Sequence, residues 1–204
     1  MRAYIYIEGG ANGPNSKNLT IRCQQAFRTL LDRMGIQGKK LRLKACGGRN
    51  SVYNDFCTAH RMNRGGYVAM WIDSEDPMAN IEEAWKHLAE VTTVSAWEKP
   101  QGATDHQVLF MTTCMETWIV ADRAALREHY KQKLNVNPLP HPNGLESKGR
   151  HEIQQALETA TKDCKNRYAK GKRSFDIFDK IDPVVLKQHL PSFARVVRIL
   201  DNNL

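Results

Sequence analysis

Two short stretches carry carboxylates in a pattern that chemistry could use. Glu8 closes "IYIEGG", and Asp73, Glu75 and Asp76 close "YVAMWIDSED", three acids within four positions. Like charges packed so closely repel, and an apolar interior offers them no compensation. A divalent metal ion is the first candidate for the missing positive charge, and an arginine or lysine clamp the second. Plain solvated carboxylates at a strand end are the third. Hard oxygen donors without imidazole or thiolate select Mg²⁺ or Mn²⁺. Such an ion, held by few carboxylates, keeps water and can reach a phosphate, which suits phosphodiester hydrolysis. The glycines that follow Glu8 would let a substrate backbone come close. A lone acid in these places would more simply cap the next helix, as Asp73 or Asp76 could do before "PMANIEEAW".

Phosphoryl chemistry also needs cations that orient the phosphate. Arg49 in "GGRN" opens a helix, where backbone N–H groups can bind an anion. Lys99 in "WEKP", and Lys170, Lys172 and Arg173 in "YAKGKRSF", are the other candidates for nucleic-acid contact. Each could equally be a solvated surface cation, and without metal any of them could pair with the acids. Glu116, in the first turn of a helix, is a further candidate for either a functional or a structural role. Trp71, Trp85 and Trp118 fall in core patterns, which leaves Trp97 as the indole expected to be open for stacking on a base. The histidines form no pair, and no Ser/His/Asp or Cys/His arrangement emerges. With neither a P-loop nor a G-x-G-x-x-G fingerprint, the chain is not expected to hydrolyse ATP itself.

The elements that must position these residues follow from periodicity. Strands are expected at 3–10, 40–48, 66–73 and 107–113. Helices are expected over about 19–35, near 51–62, along "ANIEEAWKHLAEV" and over 114–130. Alternating strands and helices argue for an α/β fold with a mostly parallel sheet covered on both faces. In a 2-1-3-4 strand order, Glu8 and the Asp73 cluster would meet at the carboxyl rim where the order reverses, the usual ligand position in such sheets. Beyond the Pro-rich stretch "NVNPLPHPNGLESKG" the pattern becomes helical. The expected division is an α/β core over 1–130 and a helical C-terminal extension over 131–204, packed on the core.

The 204 residues, 41% hydrophobic and 25% charged, fit a globular protein without a membrane span. The N-terminus enters a strand at once, so no signal peptide is read. Five scattered cysteines suggest reduced thiols and a cytoplasmic setting. A formal charge of +8 favours a polyanionic partner.

Glu8 after the first strand and Asp73-Ser74-Glu75 after the third resemble the motifs of the Toprim domain of topoisomerases, primases and OLD-type nucleases. That domain carries a Glu after its first strand and Asp-x-Asp after its third. "CMETWIVAD" and "YAKGKRSF" extend the resemblance to small stand-alone Toprim-like proteins found beside ABC-type or AAA ATPases in bacterial anti-phage loci. The resemblance implies a Toprim-like Rossmannoid core in which Glu8, Asp73 and Glu75, assisted by Asp76, hold Mg²⁺ or Mn²⁺. It also implies a nuclease acting on DNA or RNA under the control of a partner ATPase. Glu75 departs from the motif, which has Asp there. The competing readings are a non-catalytic Toprim-like subunit that regulates an ATPase, and a nucleic-acid-binding protein with a structural ion. The sequence sets no oligomeric state.

Overall fold

The computed structural model describes residues 2–10, 16–36, 41–62, 66–91 and 94–204, with Ser16 and Lys172 described at the backbone only. Strands β1 (Arg2–Ile7), β2 (Leu41–Ala45), β3 (Gly66–Asp73) and β4 (Val108–Met111) form one sheet in the order β2-β1-β3-β4. All pairings are parallel, with Ile7 opposite Ala45 and Trp71, and Asp73 opposite Met111. The strand order thus reverses between β1 and β3.

Both faces are covered, as the apolar character of β3 and β4 requires. Period-two alternation sends Ile5, Ile7, Ala69, Trp71 and Leu109 to one face, and Val68, Met70, Ile72, Val108 and Phe110 to the other. Helices α2 (Arg49–Arg61) and α3 (Ala84–Glu90) cover the second face through Val52, Phe56, Trp85 and Leu88. The first face receives α1 (Ser16–Arg33), whose Phe27 meets the edge of Trp71 with centroids 4.9 Å apart. It also receives α4 (Met115–Ala121), α5 (Arg123–Tyr130), α6 (Arg150–Thr161), α7 (Lys172–Phe178), α8 (Pro183–His189) and α9 (Pro191–Asn203). Leu157, Phe178, Phe193 and Leu200 from these later helices join Ile5, Trp71 and Trp118 in one contiguous cluster. At the sheet's edge, Arg195 of α9 donates to the Val108 carbonyl at 2.8 Å and to the Asp105 carbonyl at 2.7 Å. The first of these satisfies an acceptor that the edge strand β4 would otherwise leave open.

Two helices differ from the periodicity reading. The expected helix over 114–130 breaks at Asp122, whose backbone leaves the helical region and whose carboxylate accepts from Ala125 N–H at 2.9 Å. Asp122 also accepts from Asp182 N–H at 2.9 Å, so a buried aspartate ends one helix, starts the next and ties down α8. The helix expected along 79–91 begins only at Ala84. Among the described residues, no helix is long and apolar enough to cross a membrane. The cysteines are free, with Cys23, Cys114 and Cys164 buried.

Candidate active site

Glu8 and Asp73 meet at the carboxyl rim, where the strand order reverses. Glu8 N–H still follows the sheet, donating to Trp71 O at 2.8 Å, while its Oε2 accepts from Asp73 N–H at 3.2 Å. The loop after it is pinned by a reciprocal pair of 2.9 Å hydrogen bonds between Gly9 and Gly47, which joins the ends of β1 and β2. Gly9 has φ 145, and a Cβ there would lie 2.7 Å from Cys23 Sγ on α1. Only glycine lets this loop lie against α1. Asp73 Oδ1 accepts from Met115 N–H at 3.0 Å, at the start of α4.

A cleft of about 150 Å³ opens here, lined by Glu8, Gly9, Gly10, Gly47, Asp73 and Glu116, with Lys170 and Phe175 on its C-terminal side. Three carboxylates therefore border one space. Burial raises Asp73 well above the usual aspartate range, and the charges of Glu8 and Glu116 push it further. Burial also raises Glu8, against the pull of Arg49, Lys170 and Arg150. Glu116 is 1% exposed and accepts from the Tyr168 hydroxyl and, at 3.3 Å, from Gln154. Tyr168 in turn shares a 3.0 Å hydrogen bond with Ser174, so the segment entering α7 is fastened to the cleft through Glu116.

Glu75 is not part of this group. Its backbone takes φ 70, unusual for a side chain larger than glycine, and its carboxylate pairs with Arg150 on α6. The turn is held by Glu75 N–H to Thr113 O at 2.9 Å, Ser74 N–H to Met111 O at 3.2 Å and Ser74 Oγ to Asp76 O at 2.7 Å. The left-handed turn and the Arg150 pair hold the Glu75 carboxylate, which does not line the cleft. Asp76 lies in the same turn, and its charge reaches Arg49.

Arg49 is the first residue of α2 and only 8% exposed. Its guanidinium stacks over Trp97 at 4.1 Å from the ring centroid, and Nη1 donates to Asp73 O at 3.0 Å. Nε and Nη2 have no hydrogen-bond partner among the described residues. Trp97 departs from the expectation of an open stacking surface. It is 6% exposed, stacked on Tyr53 at 4.5 Å with Arg49 over its ring. Lys170 is exposed and reaches the cleft, where its charge lowers both Glu8 and Asp73. Arg173 is exposed, donating to Arg167 O at 2.9 Å, and the Lys172 side chain lies outside the described residues. Lys99 lines a different cleft, with Tyr53, Arg61 and Glu98.

Arg150 and Gln154 belong to the site's surroundings and lie outside every motif read from the sequence, while Tyr168 opens the stretch "YAKGKRSF". Arg150 carried a signal: a cation at the first position of a helix opposes the helix dipole unless an anion faces it, and Glu75 does. Arg49 has the same position on α2.

The donor set suits a hard divalent cation. Glu8 and Asp73 are desolvated oxygen donors on one cleft, and Glu116 lines it. Among the described residues, no three His, Cys, Asp or Glu side chains converge tightly enough to hold an ion between them as they stand. Magnesium characteristically takes one or two carboxylates and completes its sphere with water and substrate phosphate oxygens, so Glu8 and Asp73 fit that mode.

The chain belongs to the family described as Domain of unknown function (DUF4276), whose model matches residues 13–201. No curated protein and no solved structure gives a significant match.

Proposed function

We propose that the protein is a cytoplasmic, Mg²⁺- or Mn²⁺-dependent nuclease that cleaves DNA or RNA phosphodiesters at the cleft between β1 and β3. The observation that supports this reading most is the meeting of Glu8 and Asp73 at the sheet's reversal point, both raised by burial and facing lysine and arginine. Glu8 and Asp73 would hold the ion, which when bound would polarise a phosphoryl oxygen and lower the pKa of a water. Lys170, and Arg49, whose Nε and Nη2 have no hydrogen-bond partner among the described residues, would hold phosphate oxygens and offset the charge that develops on them. Glu116 lines the same cleft, and the Tyr168 and Gln154 hydrogen bonds fix its carboxylate there. In this proposal Glu75 keeps Arg150 at the rim instead of binding the ion. The resemblance to stand-alone Toprim-like proteins adds a partner ATPase as the controlling subunit of an anti-phage system.

A Mn²⁺ titration followed by electron paramagnetic resonance tests the ion site. Wild type should bind Mn²⁺, and Glu8→Gln and Asp73→Asn should each weaken binding at least tenfold. Equal binding by all three would remove the site from the account. The second reading, a non-catalytic subunit that regulates an ATPase, is favoured by the engagement of Glu75 with Arg150. It predicts no cleavage even with the ATPase present.

A further inference from the structure

Beside the acid cleft, five cations stand on exposed positions along one region: Lys133, Lys165, Arg167, Lys170 and Arg173. Their placement follows from contacts rather than sequence proximity alone. Lys170 lines the cleft. Arg173 Nη1 donates to Arg167 O at 2.9 Å, which brings these two residues together. Arg173 also acts electrostatically on Tyr130, three residues before Lys133, and Lys133 acts on Cys164, next to Lys165. Asn135 N–H, donating to Ala160 O at 3.0 Å, holds the 131–135 segment against the end of α6.

The segment that carries them is fastened on its inner side. Tyr168 N–H donates to Thr161 Oγ1 at 2.9 Å, and the Tyr168 hydroxyl reaches Glu116. Gly171 N–H donates to Ser174 Oγ at 3.2 Å. Among the described residues, none of the five cations forms a salt bridge, whereas Arg22, Lys44 and Lys180 each face a carboxylate. Asp163 is the acid nearest this run in sequence, and its charge acts on Cys164. Exposed cations of one sign, without a carboxylate partner among the described residues, suit a polymer of regularly spaced negative charges.

We propose that this surface is the track for a nucleic-acid strand, which enters along Lys133, Lys165, Arg167 and Arg173 and reaches the acid cleft past Lys170. The inference rests on the nuclease reading for its occupant, and supplies the polymer contact that the small cleft cannot. Backbone contacts of this kind bind without reading sequence and depend strongly on salt.

The test is equilibrium binding of a fluorescent single-stranded oligonucleotide in EDTA, over a series of salt concentrations, so that no cleavage is needed. Two triple variants are compared: Lys165→Glu/Arg167→Glu/Arg173→Glu on the track, and Arg42→Glu/Arg61→Glu/Lys187→Glu at exposed positions away from it. Both lower the net charge equally. The track variant should weaken binding at least tenfold, and its slope of log affinity against log salt should fall by about 2, near 0.7 for each lost phosphate contact. The control variant should change affinity less than threefold. A duplex of the same sequence reports whether paired strands share the track. Equal weakening by both triples would reduce the effect to net charge and overturn the proposal. So would no weakening by the track variant, or a wild type that binds anionic lipid vesicles but no oligonucleotide. If the track variant alone binds normally while Asp73→Asn loses Mn²⁺, the track fails and the ion site stands.

Discussion

Three effects oppose the charged form of Asp73. Desolvation, the Glu8 carboxylate and the Glu116 carboxylate all raise its pKa, while Lys170 and the Met115 N–H act the other way. A carboxyl whose folded pKa lies above its unfolded value lends relative stability at low pH, and that contribution is lost as pH rises through the folded value. At neutral pH, Asp73 therefore costs the metal-free protein stability. Replacing it with Asn removes the charge and keeps the size, so Asp73→Asn should raise the melting temperature in EDTA at pH 7.5. Each kcal/mol recovered corresponds to about 2–4 °C in a chain of this length. The gain should shrink as pH is lowered, which thermal melts across pH would read directly. A variant that melts lower than wild type at neutral pH would show that Asp73 is compensated without metal. Arg49 poses the complementary problem, a buried cation with two N–H donors unpaired among the described residues. A phosphate oxygen is the partner that the nuclease reading assigns to it.

At the scale of elements, a carboxylate also organises the last helix. Glu146 accepts from Ser192 N–H at 3.1 Å through each oxygen, and from the Ser192 hydroxyl, at the first turn of α9. Burial nonetheless raises Glu146 above its ordinary value of 4.5. Its ionisation thus subtracts stability as pH rises past that value toward neutrality. Glu146→Gln keeps an acceptor for Ser192 without a charge to desolvate. The difference in melting temperature, variant minus wild type, should become more positive between pH 4.5 and pH 7; a flat difference would contradict the cause. Much of the element plan was legible in sequence. The apolar runs of β1 and β3 declared a covered parallel sheet, and strand-end positions sufficed to bring Glu8 and Asp73 to one rim. The rest was set by features that periodicity does not encode. Glu75 is turned aside by a left-handed backbone at a residue that does not advertise it. Asp122 interrupts an otherwise continuous helical pattern because its side chain caps the next helix. Trp97 is covered by Arg49 and Tyr53, which lie nearly fifty residues earlier in the chain.

Across the whole molecule, the C-terminal helices share the apolar cluster that covers one face of the sheet. Phe193 of α9 is fully buried and meets the Trp118 ring edge-on at 4.8 Å, while Trp118 meets Trp71 of β3 at 5.8 Å. Phe193→Ala should therefore cost about 3–5 kcal/mol. Its denaturant transition should remain single and coincide by tryptophan fluorescence and far-ultraviolet dichroism. Separate transitions would mean that the extension unfolds independently of the sheet. The same packing serves the proposed function, since it brings Lys170, before α7, to the cleft and Tyr168 and Gln154 against Glu116.

The proposal that Glu8 and Asp73 form a metal-dependent phosphodiester-cleaving centre can be tested by cleavage itself. The most direct measurement is the cleavage rate of plasmid, single-stranded DNA and tRNA by wild type and Asp73→Asn, with Mg²⁺, Mn²⁺ or EDTA, and with and without the partner ATPase. Wild type should cleave only with the metal, and Asp73→Asn should lose about 100-fold or more, the scale seen when a charge-stabilising group is removed from an active site. Equal cleavage by wild type and Asp73→Asn, or no cleavage by wild type on any substrate even with the ATPase, would contradict it.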